Sequence, residues 1–142
     1  MTYLCTMEQI ENLLITAGIK PTSIRIMVMK EIVAYNHPFT LANMEDRLCT
    51  VDKSSLFRTL QLLLKHKLLH DIDNGSGSKL YCRCECVPMH TSHIHFTCTY
   101  CGQTYCVKDI DISIIPHPKG FVVEEMNFVM KGLCSKCTKY NL

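Results

Sequence analysis

Apolar residues recur at helical spacing through the first half of the chain and fall into short, alternating runs through the second. Ile10, Leu13, Leu14 and Ala17 mark one helix, Leu4 to Ala17, which Gly18 ends. Pro21 suits the start of a second, whose broad apolar side carries Ile24, Ile26, Met27, Val28, Met29 and Ile32; His37-Pro38-Phe39 breaks it. Thr40 caps a third helix, Leu41 to Leu48. A fourth, Ser54 to Lys67, gathers Leu56, Leu60, Leu63 and Leu64 into one stripe and keeps Ser55, Arg58, Thr59 and Lys65 polar.

The period then changes. Asp71 to Lys79 is a polar Gly/Ser stretch that reads as a turn or hinge. Lys79 to Cys84, His93 to Cys98, Gln103 to Val107 and Phe121 to Met130 read as strands. The sequence therefore predicts an α+β chain, with a helical half over 1–78 and a cysteine-rich strand half over 79–142. Exposed sheet edges in so small a strand half need cover, which a second copy would supply, so a homodimer is expected.

At 142 residues the chain is too short for a large barrel enzyme. Its apolar share of 47% and charged share of 20% are those of a folded domain. No apolar run is long enough for a membrane span, and the first residues do not read as an export signal, so the expected compartment is the cytoplasm. The net charge of +2 does not favour general electrostatic binding to nucleic acid. Lys53, Arg58, Lys65, Lys67 and Lys79 against Asp71 and Asp73 nevertheless leave one segment positive. The third and fourth helices, joined by a tight turn, fit a helix-turn-helix, a pattern that small helical bundles share.

The 10 cysteines change the picture most. In a reducing compartment they point to metal or redox chemistry. Cys98-x-x-Cys101-Gly102 and Cys134-x-x-Cys137 are two knuckles whose spacing turns four thiolates toward one tetrahedral ion, zinc first, with a rubredoxin-like iron site sharing the spacing. Such an ion would staple the last segment to the sheet. His93 and His95 alternate on one strand face, and Cys106 lies in the next strand. Cys82, Cys84 and Cys86 share a face if their strand continues, with His90 close by. Mixed thiol and imidazole donors favour a second zinc site over the oxygen-loving ions. Cys106 as a buried core thiol is the plainer alternative.

His93-x-His95-x-x-Cys98-x-x-Cys101-Gly102 and Gly132-Leu133-Cys134-x-x-Cys137 together resemble the ferric uptake regulator family of bacterial metal-responsive repressors. Ala17-Gly18-Ile19-Lys20-Pro21-Thr22 with Arg25, His37-Pro38, and Ser54-Ser55-Leu56-Phe57-Arg58-Thr59-Leu60 extend the resemblance over nearly the whole chain. It implies a winged helix-turn-helix over 1–78 and a dimerisation and metal-binding domain over 79–142. It implies a structural zinc on Cys98, Cys101, Cys134 and Cys137. It also implies a regulatory ion between the domains, held by His37, His93, His95, a post-hinge residue and a residue aligned with Cys106. Among Cys82, Cys84 and Cys86, the Tyr81-x-x-Cys84 pattern looks most like the zinc sensors. The implied function is a homodimeric repressor of palindromic, AT-rich operator DNA, read by Lys53, Ser55, Phe57 and Arg58.

Where the family often has carboxylates, this chain has thiols, so the expected regulatory metal is zinc. Ferrous iron or manganese is the alternative, in an iron- or peroxide-responsive regulator. A zinc enzyme and a zinc module that does not bind DNA are remoter readings. No His-Glu-x-x-His or deaminase-like motif supports the enzyme, and no small-molecule substrate is expected.

Overall fold

In the computed structural model each helix of the first half starts at a side chain that caps it. Thr6 and Gln9 form a reciprocal capping box at the start of α1, Met7–Thr16. Thr22 accepts from the Arg25 amide and opens α2, Ser23–Tyr35, one residue beyond Pro21. Thr40 and Asn43 form a second capping box at α3, Leu41–Arg47. Asp52 accepts from the Ser55 amide at 3.0 Å and starts α4, Lys53–Lys65. Each threonine cap contributes about 1 kcal/mol by satisfying an amide that the helix itself cannot. Asn36, at φ 54°, turns left-handed and ends α2 before His37.

The residues described are 6–83, 94–107, 110, 115–124, 126 and 128–140, and the chain divides into two units, Met1–Cys84 and Glu85–Leu142. In the first unit Ile10, Leu14, Val28, Met29, Ile32, Met44, Leu56, Leu60 and Leu63 form one core. Each such side chain contributes about 1.5–3 kcal/mol on leaving water. The apolar side of α2 is narrower than its composition suggests, since Ile24 and Met27 stay exposed. Thr59, expected to be solvated, is buried; its hydroxyl donates to the Ser55 carbonyl at 2.9 Å, which removes the penalty of burying it.

The polar stretch after α4 is a turn, the loop of a hairpin. Strands β1 (Phe39–Thr40), β2 (His70–Ile72) and β3 (Leu80–Cys82) form an antiparallel sheet in the order β1-β3-β2. Asp73 and Asn74 accept from the amides of Gly75 and Ser76, so the loop turns on its own side chains. This hairpin, following α3 and α4, is the wing of a winged helix-turn-helix.

The second unit carries β4 (Ile94–Cys98), β5 (Thr104–Val107) and β6 (Phe128–Gly132), in the order β5-β4-β6. The β4–β5 pair is antiparallel and the β4–β6 pair parallel. The last strand begins later than its apolar run: Phe121 and Val122 are 73% and 90% exposed. Among the described residues the parallel register runs from Ile94 opposite Phe128 to Cys98 opposite Gly132. Among the described residues no helix is long and apolar enough to cross a membrane.

Candidate metal centres

The parallel β4–β6 pair assembles the cysteine knuckles. It sets Cys98 opposite Gly132, two residues before Cys134. The turn after β4 then brings in Cys101, closed by the Gly102 amide donating to the Cys98 carbonyl at 3.0 Å. Gly102 takes φ 75°, a conformation that favours glycine. The Sγ atoms of Cys98, Cys101, Cys134 and Cys137 all lie within 4.8 Å of one another, and Cys101 and Cys134 are 4.0 Å apart. A tetrahedron with metal–sulfur bonds of about 2.3 Å has sulfurs about 3.8 Å apart, so the cluster has the size and donor type of a zinc site. None of the described cysteines is in a disulfide.

The four thiols differ chemically. Cys98 accepts from the Cys101 amide at 3.5 Å and the Cys134 amide at 3.4 Å, which pull its thiol down to about 6. Cys134 is also lowered, first by the Cys137 amide and further by the Tyr105 hydroxyl. Burial pushes the Cys137 thiol up to about 12. Cys98 is therefore ready as a ligand at neutral pH, whereas the Cys137 proton would be released to solvent when a metal binds. Acid works against binding: as pH falls through about 6, Cys98 takes up a proton that metal must displace.

A different face of the same strands carries a second donor pair. His95 and Cys106 are register partners on β4 and β5, with the Cys106 sulfur 4.0 Å from His95 Nε2. His95 is buried. Alternation along β4 puts His95 on the face opposite Cys98. The described structure thus joins two of the regulatory candidates. Of the others, Cys84, Cys86, His90 and His93 lie outside the described residues. His37 is exposed at the end of α2 with its ring edge-on to Tyr35, and no group of three or more donors among the described residues includes it.

The first unit has a pair of the same kind. His70 on β2 is the register partner of Cys82 on β3, and a ring nitrogen and the thiol lie within 4.8 Å. Cys82 is buried and ends its strand. Sequence reasoning missed His70 because it stands at the edge of the supposed hinge. The available signal was the short run Leu68-Leu69-His70-Asp71-Ile72 just before a turn, facing a second short run, Leu80-Tyr81-Cys82, just after it.

On α4, Phe57 is 46% exposed and so is not a core aromatic. Arg58 is exposed beside it, its Nε donating to the Ser54 carbonyl at 3.3 Å. The Ser55 amide and hydroxyl both serve the Asp52 cap and hold that carboxyl below its ordinary range. Lys53 reaches Glu45 at 3.6 Å, and Lys79 reaches Asp71 at 3.5 Å, solvated pairs that temper the positive segment.

Comparison with known proteins matches residues 16–131 to the model of the ferric uptake regulator family. No curated protein matches in sequence. Among solved structures, a zinc uptake regulator complexed with zinc and DNA is similar at TM-score 0.72 and 18% identity, covering 95% of this chain and 94% of that one. The ferric uptake regulator of Vibrio cholerae is similar at TM-score 0.67 and 15% identity, covering 87% and 98%. That of Helicobacter pylori, described with three functional metal-binding sites, is similar at 0.63 and 18%, covering 97% of each. With most of its length matched by the family model, and its two knuckles folded into one four-sulfur cluster, the chain belongs to the ferric uptake regulator family.

Proposed function

We propose that this protein is a homodimeric, zinc-responsive transcriptional repressor that works in the cytoplasm and binds palindromic, AT-rich operator DNA. The observation that carries the zinc reading is the donor chemistry of the cross-strand pairs. His70 with Cys82 and His95 with Cys106 offer imidazole and thiol where oxygen donors would suit manganese or magnesium. The fold likeness to a zinc regulator solved with zinc and DNA supports the same reading.

The cluster of Cys98, Cys101, Cys134 and Cys137 holds the structural zinc. The regulatory zinc takes about four ligands, drawn from His70, Cys82, His95 and Cys106 and from His37, His93 and Cys84, which the family resemblance adds. Cys86 and His90 are reserve donors. Zinc, when bound, supplies a charge and a fixed geometry, and the work of recognition stays with the protein's side chains. Regulation is a population shift: the ion favours the arrangements of the protein in which all of its ligands reach it. Those arrangements present two recognition helices to the two halves of the operator.

Phe57 meets a thymine methyl, Arg58 and Lys53 meet phosphates, and Ser55 starts the helix that presents them. Separate variants test this part. Arg58→Ala is expected to weaken binding to operator and scrambled duplex alike and to reduce the salt slope by about 1. Phe57→Ala is expected to weaken operator binding about tenfold and leave scrambled duplex alone. Fluorescence anisotropy across a salt series measures both. Unchanged operator binding in both variants contradicts the assignment of α4 as the reading helix.

A further inference from the structure

The outward face of α4 carries one more side chain than the residues already placed on it. Leu56, Thr59, Leu60 and Leu63 are buried and fix which side of the helix packs on the core. Phe57 and Arg58 are exposed away from that side. Gln61 is partly exposed and follows them at i+4 and i+3, so it shares their face one turn on. Side chains on a helix lean back toward its N-terminus, which carries the Gln61 amide over the turn that holds Phe57 and Arg58. Arg58 runs back over the preceding turn in the same way, its Nε donating to the Ser54 carbonyl at 3.3 Å.

The side chains on this face differ in what they can read. Arg58 only donates, which suits a phosphate or the paired acceptors of guanine. Phe57 offers an apolar edge to a thymine methyl. The serine hydroxyls of the first turn donate and accept alike and discriminate poorly between bases. Gln61 holds a donor and an acceptor in one plane, the complement of adenine N7 and N6 in the major groove.

We propose that Gln61 is a specificity-determining residue of operator binding, its side-chain amide pairing with N6 and N7 of an adenine in each half of the operator. This rests on the reading of α4 as the recognition helix. Four residues of helix rise about 6 Å, and base pairs repeat about every 3.4 Å, so the adenine lies within about two base pairs of the thymine that meets Phe57. AT-rich DNA is then read twice, by a methyl contact and by a bidentate hydrogen bond. A bidentate pair discriminates about tenfold against a wrong base.

The test uses full-length protein, fluorescence anisotropy and the metal state that binds most tightly. Adenines in one half of a labelled AT-rich palindrome are replaced one at a time by 7-deazaadenine, which keeps base pairing and the thymine methyl but lacks the N7 acceptor. Wild-type protein is expected to lose about tenfold in affinity at one position. Gln61→Leu, which keeps the bulk and suits a helix, is expected to bind the unmodified operator more weakly, to ignore the replacement at that position and to bind scrambled duplex as wild type does. Wild-type indifference to every replacement would overturn the proposal, and so would a Gln61→Leu protein as sensitive as wild type at the responsive position. Either result, with Phe57→Ala still weakening operator binding, leaves α4 as the reading helix and removes Gln61 alone. Equal binding of wild type to palindrome and scrambled duplex in every metal state would remove the operator reading, and this proposal with it.

Discussion

Cys134→Ser is expected to lose one zinc per chain and to leave the second unit poorly folded. The described residues after β6, 133–140, make no helix or strand, and Cys134 and Cys137 are the buried side chains among them. Among the described residues the core there is small: Cys98, Cys134 and Cys137, with Phe96 and Tyr105 packed against them. A core of that size does not hold a chain segment by apolar burial alone, so metal-binding energy becomes folding energy. Removing one of four thiolates spoils the tetrahedral donor set, and the remaining three compete poorly with solution chelators. The thermal midpoint should fall by about 10 °C or more, since each kcal/mol is worth several degrees in a chain of this size. Calorimetry with metal analysis checks this. A variant that keeps its zinc and its melting temperature would mean that the knuckles are buried thiols and no more.

The second large effect concerns regulation, and it should separate cleanly from the first. Cys82→Ser and His95→Ala each leave the four-sulfur cluster intact. Both should fold, keep the structural zinc and still bind duplex DNA weakly and without selectivity through exposed basic side chains. What they should lose is the response to added zinc. Coupling between two ligands in such switches is typically about 5–150-fold in affinity, and either substitution should bring the ratio of operator affinities with and without zinc close to one. His70→Ala tests the residue that sequence reasoning passed over, and should behave like Cys82→Ser. Anisotropy titrations with and without buffered zinc give the ratio directly. A full zinc response in Cys82→Ser and His70→Ala together would remove the first unit's pair from the regulatory set.

The structural cluster was legible in the sequence because a Cys-x-x-Cys knuckle is a local object: spacing fixes it, and two such knuckles need only one meeting. The helices were legible for a similar reason, since Thr40 caps and Leu56, Leu60 and Leu63 align within a turn or two. What escaped is what depends on pairing at a distance. His70 became a candidate only when β2 and β3 set it opposite Cys82, across the polar loop. Thr59 looked polar and is buried because a bond to Ser55 within the helix pays for its hydroxyl. The run at Phe121 looked like a strand by composition, but Phe121 and Val122 are exposed and the strand described is Phe128–Gly132. Tyr105 packs against the cysteines with no sequence signal of it, since that depends on which face of β5 it occupies.

The most direct test of the central claim is anisotropy of the purified protein on a labelled AT-rich palindrome and a scrambled control. Zinc, manganese and ferrous iron are buffered in turn under reducing, anaerobic conditions. Selective binding that only zinc switches on is the predicted result. Switching by manganese or iron, with zinc inert beyond the structural site, would contradict the thiol–imidazole pairs as the regulatory donors.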